Sequence, residues 1–260
     1  MRYLPVLAIV AWGVPIGHAD TVSTHTEEID TFVAQMSEDQ LFAGSILVVE
    51  GGATVYSRAF GARDVGTGKQ NAIDTQYGIA SITKPLTGII LLQLFAEEKL
   101  APGDHVSKYL PDFPRGDEIR IVNLMTHRSG IPHRVTTEAQ ERVGQSAASM
   151  AKLAGEAVLL FEPGRGRKYS SAGYSVLARV IEVVEGKSYG QVIEERVFRP
   201  AGASHSFDAT RLVESVDIAT SYLPTVEGIE EAPPEDLSCL VGGGSVYSTV
   251  GDLQQIISAL

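Results

Sequence analysis

Ser81-Ile82-Thr83-Lys84-Pro85-Leu86-Thr87-Gly88-Ile89-Ile90-Leu91-Leu92-Gln93-Leu94-Phe95-Ala96 is the stretch from which the fold is read. From Leu86 to Ala96 the residues are apolar on nearly every face, interrupted only by Thr87, Gly88 and Gln93, which predicts a helix buried all round. Pro85 fits its first turn, where a missing N–H is tolerated. Ser81 then stands at or just before that turn, and Lys84, three positions on, lies on the same face within reach of its hydroxyl. A buried lysine resists protonation because desolvation disfavours the ammonium, and the positive end of the helix dipole adds to this. Neutral Lys84 is thus placed to take the Ser81 proton, with the N–H groups of the turn available to an oxyanion. The same spacing also fits a lysine that only reaches solvent from a helix end, and residues 81–84 alone leave both readings open.

Upstream, Ala43 to Glu50 and Ala53 to Phe60 read as two strands joined at Gly51-Gly52, an antiparallel hairpin. Before it, Ile29, Phe32, Val33 and Met36 have the spacing of a helix with one face on the sheet. Gly61 to Gln76 is polar and glycine-rich and is read as a loop. Its Gly66-Thr67-Gly68-Lys69 is not a phosphate loop, since Arg63 and Gln70 occupy the positions that need glycine and a hydroxyl. Downstream, Glu97 to Asp104 ends the central helix and prolines 111, 114 and 132 separate short helical pieces. Ala147 to Leu160 and Tyr174 to Glu185 have helical spacing, the second closed by Gly186. Pro224 to Asp236 reads as an acidic loop, Gly242 to Thr249 as a turn, and Asp252 to Leu260 as a further helix. No strand pair is expected after the first hairpin.

The 260 residues carry a formal net charge of -11, which argues against a nucleic-acid partner. Arg2, an apolar run from Leu4 to Val14 and small residues at Gly17-His18-Ala19 form an export signal over residues 1–19, with cleavage expected after Ala19 and no membrane span beyond it. Cys239, the single cysteine, excludes an intramolecular disulfide and is expected to pack as a small hydrophobe. His127 and His133 stand apart from other ligand types, so no metal site is expected. Tyr169-Ser170-Ser171 precedes the helix near Gly173. Tyr169 in that loop is able to converge on Ser81 and share its proton transfers; equally, it fits a half-buried aromatic with Ser171 capping the helix.

Gly78-Ile79-Ala80-Ser81-Ile82-Thr83-Lys84, then Ala101 to Pro111, then Leu124-Met125-Thr126-His127-Arg128-Ser129-Gly130, then Phe161-Glu162-Pro163-Gly164 leading to Tyr169-Ser170-Ser171-Ala172-Gly173-Tyr174, resembles the serine β-lactamase-related family. That family includes class C β-lactamases, D-alanyl-D-alanine carboxypeptidases and esterases, and the resemblance runs from about Ala43 to Leu260. It implies an α+β fold in which residues 20–80 begin an antiparallel sheet domain, residues 81–215 form an inserted all-helical domain, and residues 216–260 return towards the sheet. It implies Ser81 as the acylated nucleophile, Lys84 as its proton partner and Tyr169 as a second acid/base. His127 is implied as structural bracing. Ser171, standing where relatives often carry asparagine, is implied as substrate-binding. The third family motif, Lys-Thr-Gly or His-x-Gly on a strand, does not follow Tyr169, so the resemblance predicts a C-terminally truncated chain with an incomplete sheet. The function it implies is an exported, periplasmic or secreted serine hydrolase without cofactor, acting on a β-lactam, a D-Ala-D-Ala-type peptide or a small ester. The alternative is a truncated or non-catalytic penicillin-binding-like protein.

Overall fold

The structure, a computed structural model, describes residues 19–260 other than 40, 212–217, 227 and 234–235. The expected export signal, up to residue 18, and the expected segment boundary at 215 lie outside the described residues. Helix α1 (Ala19–Glu38) leads into the hairpin β1 (Gly44–Glu50) and β2 (Ala53–Phe60), antiparallel with Glu50 opposite Ala53. Gly51 and Gly52 both have positive φ, the geometry that a two-residue hairpin turn requires and glycine supplies without strain. Val33 packs with Ile46 and Tyr56 in a small core, and the Tyr56 hydroxyl donates to Asp30 Oδ1 at 2.6 Å. Phe32, expected on this face, is instead 65% exposed. It lies beside the Ile29–Val33 stripe that meets the hairpin, not on it.

The polar segment after β2 is more ordered than its composition announces, holding a short ribbon of β3 (Ala62–Asp64) and β4 (Lys69–Gln70). Strand β5 (Tyr77–Gly78) then feeds a 3-10 turn at Ala80–Ile82 and helix α2 (Thr83–Ala96), with Pro85 in its first turn. Ile90, Leu91 and Leu94 are wholly buried. The helix is not buried all round, however: Pro85, Leu92 and Ala96 are exposed on one stripe that faces solvent. Helix α3 (Ile121–Met125) follows, then α4 (Ala147–Glu156) and α5 (Ala172–Glu185). α4 stops four residues short of the expected Leu160, and the exposed Val158 and Leu160 belong to the turn that follows. α5 closes on Gly186 at φ 67°, as its sequence predicts.

Helices α6 (Tyr189–Ile193) and α7 (Arg199–Ala201) are joined by a π-turn. Beyond them come β6 (Phe207–Asp208), β7 (Tyr222–Thr225), β8 (Gly228–Glu231), β9 (Val246–Ser248) and α8 (Val250–Ser258). Here the expectation of no later strands is corrected twice. The acidic loop overlaps the antiparallel pair β7–β8, whose second strand is exposed at each residue and so carries no apolar alternation. The expected turn at 242–249 contains β9, which pairs with both β5 and β6 in a three-stranded antiparallel sheet. Its partners are two residues long, too short for a period of two to emerge. Neither addition extends the β1–β2 pair. One large core runs from Ile79 through α2, α4 and α5 to Ile256, and Cys239 lies buried within it.

The two neighbouring leucines of α2 give a direct check on this burial. Leu91→Ala should lower the free energy of unfolding by about 2–5 kcal/mol, whereas Leu92→Ala should stay within ~0.5 kcal/mol of the parent. Urea titration distinguishes them, and equal losses would contradict the packing of α2.

Candidate active site

The short β5–β9 pairing fixes the strand that delivers the chain to Ser81. Ile79 N–H donates to Val246 O at 2.9 Å, and the next residue, Ala80, has φ 46°. A residue with a Cβ pays roughly 1–2 kcal/mol in that left-handed region. The kink turns the backbone out of the sheet and sets Ser81, exposed, at the mouth of α2.

Two groups donate to Ser81 Oγ: Lys84 Nζ at 3.2 Å and the Tyr169 hydroxyl at 2.7 Å. Lys84 is 5% exposed, and its other two hydrogen bonds go to Ser171 Oγ at 3.1 Å and Gly243 O at 2.6 Å. An ammonium has three donors and no acceptor, so all three are taken. Burial holds the Lys84 pKa below its ordinary value, while the neighbouring Tyr169 pulls the other way. The structure therefore brings together all four residues singled out in the sequence: Ser81, Lys84, Tyr169 and Ser171.

Ser171 does not cap α5. Ser170 does: its hydroxyl accepts from Gly173 N–H at 2.9 Å and donates to Pro132 O at 2.9 Å. That leaves the Ser171 hydroxyl to Lys84.

Tyr169 is half exposed, yet its ring is held on several sides. His127 lies 4.5 Å from it between centroids, His133 5.2 Å, and Lys84 Nζ 4.7 Å above the ring. The two imidazoles also hold the backbone of the motif, since Ser170 N–H donates to His127 Nδ1 and Ser171 N–H to His133 Nδ1. Both roles require an unprotonated Nδ1. Burial, reinforced by the charge of Lys84, depresses the pKa of each.

The far wall is the glycine turn before β9, which sequence reasoning read only as a turn. Thr83, Lys84 and Thr87, polar residues along α2, all bond to it. Thr83 Oγ1 accepts from Val246 N–H at 3.2 Å, and Thr87 Oγ1 donates to Gly242 O at 2.6 Å. Approach this close explains the glycines. A Cβ on Gly242, at φ 74°, falls 2.7 Å from Tyr174 O, and one on Gly243 falls 3.1 Å from Ser171 O. Among the described residues no group of three or more His, Cys, Asp and Glu side chains is arranged to hold a metal ion.

A serine hydrogen-bonded by a lysine and a tyrosine, set at the head of a helix beside small antiparallel sheets, fits the β-lactamase/penicillin-binding-protein class of fold. The chain belongs to the Beta-lactamase family, whose model matches residues 29–260. A teichoic acid D-alanine hydrolase of Staphylococcus aureus (strain MRSA252) is 30% identical over 225 residues, which cover 86% of this chain and 55% of that protein. The crystal structure of FmtA from Staphylococcus aureus superposes with a TM-score of 0.78 at 27% identity, over 89% of this chain and 64% of that one. The D-amino acid amidase from Ochrobactrum anthropi SV3, in complex with D-phenylalanine, shares the fold with a TM-score of 0.79 at 21% identity, over 93% of this chain and 71% of that one. The chain thus spans about half the length of the curated relative.

The paired imidazoles make stability sensitive to acid. In the unfolded chain His127 and His133 take up protons near 6.5, the ordinary histidine value, whereas in the fold they resist protonation to lower pH. The unfolded state then binds more protons over that interval, so stability falls as pH drops below about 6.5 and is flat above it with respect to these groups. His133→Asn, which keeps an acceptor for Ser171 N–H but does not titrate, should flatten part of the acid slope in unfolding measured from pH 7.5 to 5. An unchanged slope would contradict the assignment.

Proposed function

We propose that the protein is an exported serine hydrolase that forms an acyl-enzyme at Ser81, with D-alanyl and related D-amino acyl esters or amides as its substrate class. The observation that carries the mechanism is the flanking of Ser81 Oγ by Lys84 Nζ at 3.2 Å and Tyr169 OH at 2.7 Å. In the resting arrangement both partners donate to Ser81, so one must lose a proton before it can take the proton of the serine. Burial favours Lys84 as that base. Ser81 Oγ attacks the substrate carbonyl carbon as its proton passes to Lys84. The bond to the leaving oxygen or nitrogen then breaks as a proton reaches that atom, with Tyr169 as donor or relay. Water repeats the sequence: its oxygen bonds the acyl carbon, its proton passes through the same pair, and Ser81 leaves with its hydroxyl restored. Ser171 holds Lys84 and borders the space in which the substrate carbonyl lies.

The substrate class rests on the relatives, one named as a hydrolase of teichoic acid D-alanine and one of the same fold as a D-amino acid amidase. Export rests on the residue pattern of positions 1–19. No helix among the described residues is long and apolar enough to cross a membrane.

A fluorophosphonate probe should label the protein at Ser81, with the adduct located by mass spectrometry after digestion. Labelling that survives in Ser81→Ala would remove the nucleophile assignment. Lys84→Ala should acylate about 10²–10⁴-fold more slowly while unfolding cooperatively. Rates equal to the parent would exclude Lys84 as the base. In a parallel assay, D-alanyl esters should turn over faster than their L-enantiomers and faster than a chromogenic cephalosporin; the reverse order would replace the substrate class by β-lactams.

A further inference from the structure

Asp208, on β6, is wholly buried, and among the described residues it has no ion-pair partner. A buried carboxyl without a cation is costly unless donors surround it. Here three do: Thr210 N–H at 3.0 Å and Thr210 Oγ1 at 2.5 Å to Oδ1, and the Ser245 hydroxyl to Oδ2 through a very short hydrogen bond. Burial still pushes the carboxyl pKa up, against the pull of these donors. The Thr210 bonds are local, two residues along the same chain. The Ser245 bond is not, because it crosses from β6 to the turn before β9.

Ser245 is itself fully buried and looks both ways. While it donates to Asp208, its Oγ accepts from Gly242 N–H at 3.3 Å, across the turn. The same turn sends Gly242 O to Thr87 and Gly243 O to Lys84, each at 2.6 Å. Its glycines have no side chains to anchor it. Ser245 is the one residue of 242–245 whose side chain can, and Asp208 fixes the direction of that hydroxyl.

We propose that Asp208 and Ser245 are positioning residues of the active site, clamping the 242–245 turn so that the Gly243 carbonyl meets the Lys84 ammonium. A hydrogen bond to the charged form favours that form. The clamp therefore sustains protonated Lys84 against the desolvation that opposes it, and holds Nζ in line with Ser81 Oγ. The groups that also face Lys84 are Tyr169, Tyr174, His127 and His133, none of which is substituted in the test.

The test compares Ser245→Ala with Thr210→Ala. Both remove a hydroxyl from Asp208, but only the first releases the turn. The first measurement follows the Lys84 side-chain nitrogen by NMR of ¹⁵N-lysine-labelled protein, assigned through Lys84→Ala, and needs no catalytic activity. Its titration midpoint should move to lower pH in Ser245→Ala and stay at the parental value in Thr210→Ala, whatever the loss of stability in either. The second measurement rests on the hydrolase reading: fluorophosphonate acylation measured above the Lys84 midpoint, where both proteins carry neutral lysine, should slow by roughly tenfold or more in Ser245→Ala, as expected for a displaced catalytic group. Should Ser245→Ala not fold, Ser245→Cys, with similar volume and a weaker donor, takes its place. A Lys84 midpoint unchanged in the folded Ser245 variant, or displaced equally in Thr210→Ala, overturns the proposal. A midpoint that moves in Ser245→Ala in a protein whose parent does not acylate supports the clamp and refutes the hydrolase reading instead.

Discussion

A lysine that is buried to 5% exposure must find three acceptors for its ammonium, and the architecture around the site is arranged by that need. An unpaired buried charge of this kind carries a penalty of several kcal/mol. Lys84 meets it with one acceptor from its own helical turn, one from the N-terminus of α5 and one from the backbone before β9. Three elements distant in sequence are therefore drawn to one nitrogen. Thr83 and Thr87, one on each side of Lys84 along α2, tie the same helix to the same turn. The polar residues in an otherwise apolar helix mark where it faces the turn, while its apolar faces go to the core at Ile90, Leu91 and Leu94.

Reactivity and packing pull in opposite directions here, and the balance shows in Lys84 and Tyr169. Desolvation lowers the lysine pKa and makes its neutral form accessible, while the hydrogen bonds that position it favour the cation. Tyr169, half exposed, has no core to hold it, so its hydroxyl is aimed by imidazole rings and by the backbone N–H groups of Ser170 and Ser171 that those rings accept. His127 was legible as bracing from the pattern around it. His133 was not, since a lone histidine after a proline carries no signature of the amide it will accept.

What could be read in advance divides by the range of the interaction. Ser81 and Lys84 are one turn apart, and helical periodicity alone puts them together. The hairpin at Gly51-Gly52 and the cap at Gly186 are local as well, and both are as expected. Tyr169 and Ser171 lie 88 and 87 residues from their partners. Only the ordered run of motifs shared with the family placed them in the same cleft. The Gly243 carbonyl, Ser245 and Asp208 were missed because their contribution comes from backbone geometry and from pairings between strands of two or three residues. The three consecutive glycines were the available signal, since successive positions without a side chain imply close backbone approach. The exposed stripe at Leu92 was likewise invisible in composition, because leucine is written the same way on either face.

The contact between Lys84 and Gly243 spans 159 residues of chain. A loop of that length closes late in folding, after local helices and hairpins have formed. As the polypeptide emerges during synthesis, Ser81 and Lys84 are already one turn apart, but the lysine lacks both its backbone acceptor and the burial that tunes its proton. Ser81 is thus without its buried lysine partner for most of the time the chain is being made. The proposed chemistry therefore becomes available only at tertiary closure, when the Gly243 carbonyl reaches Lys84.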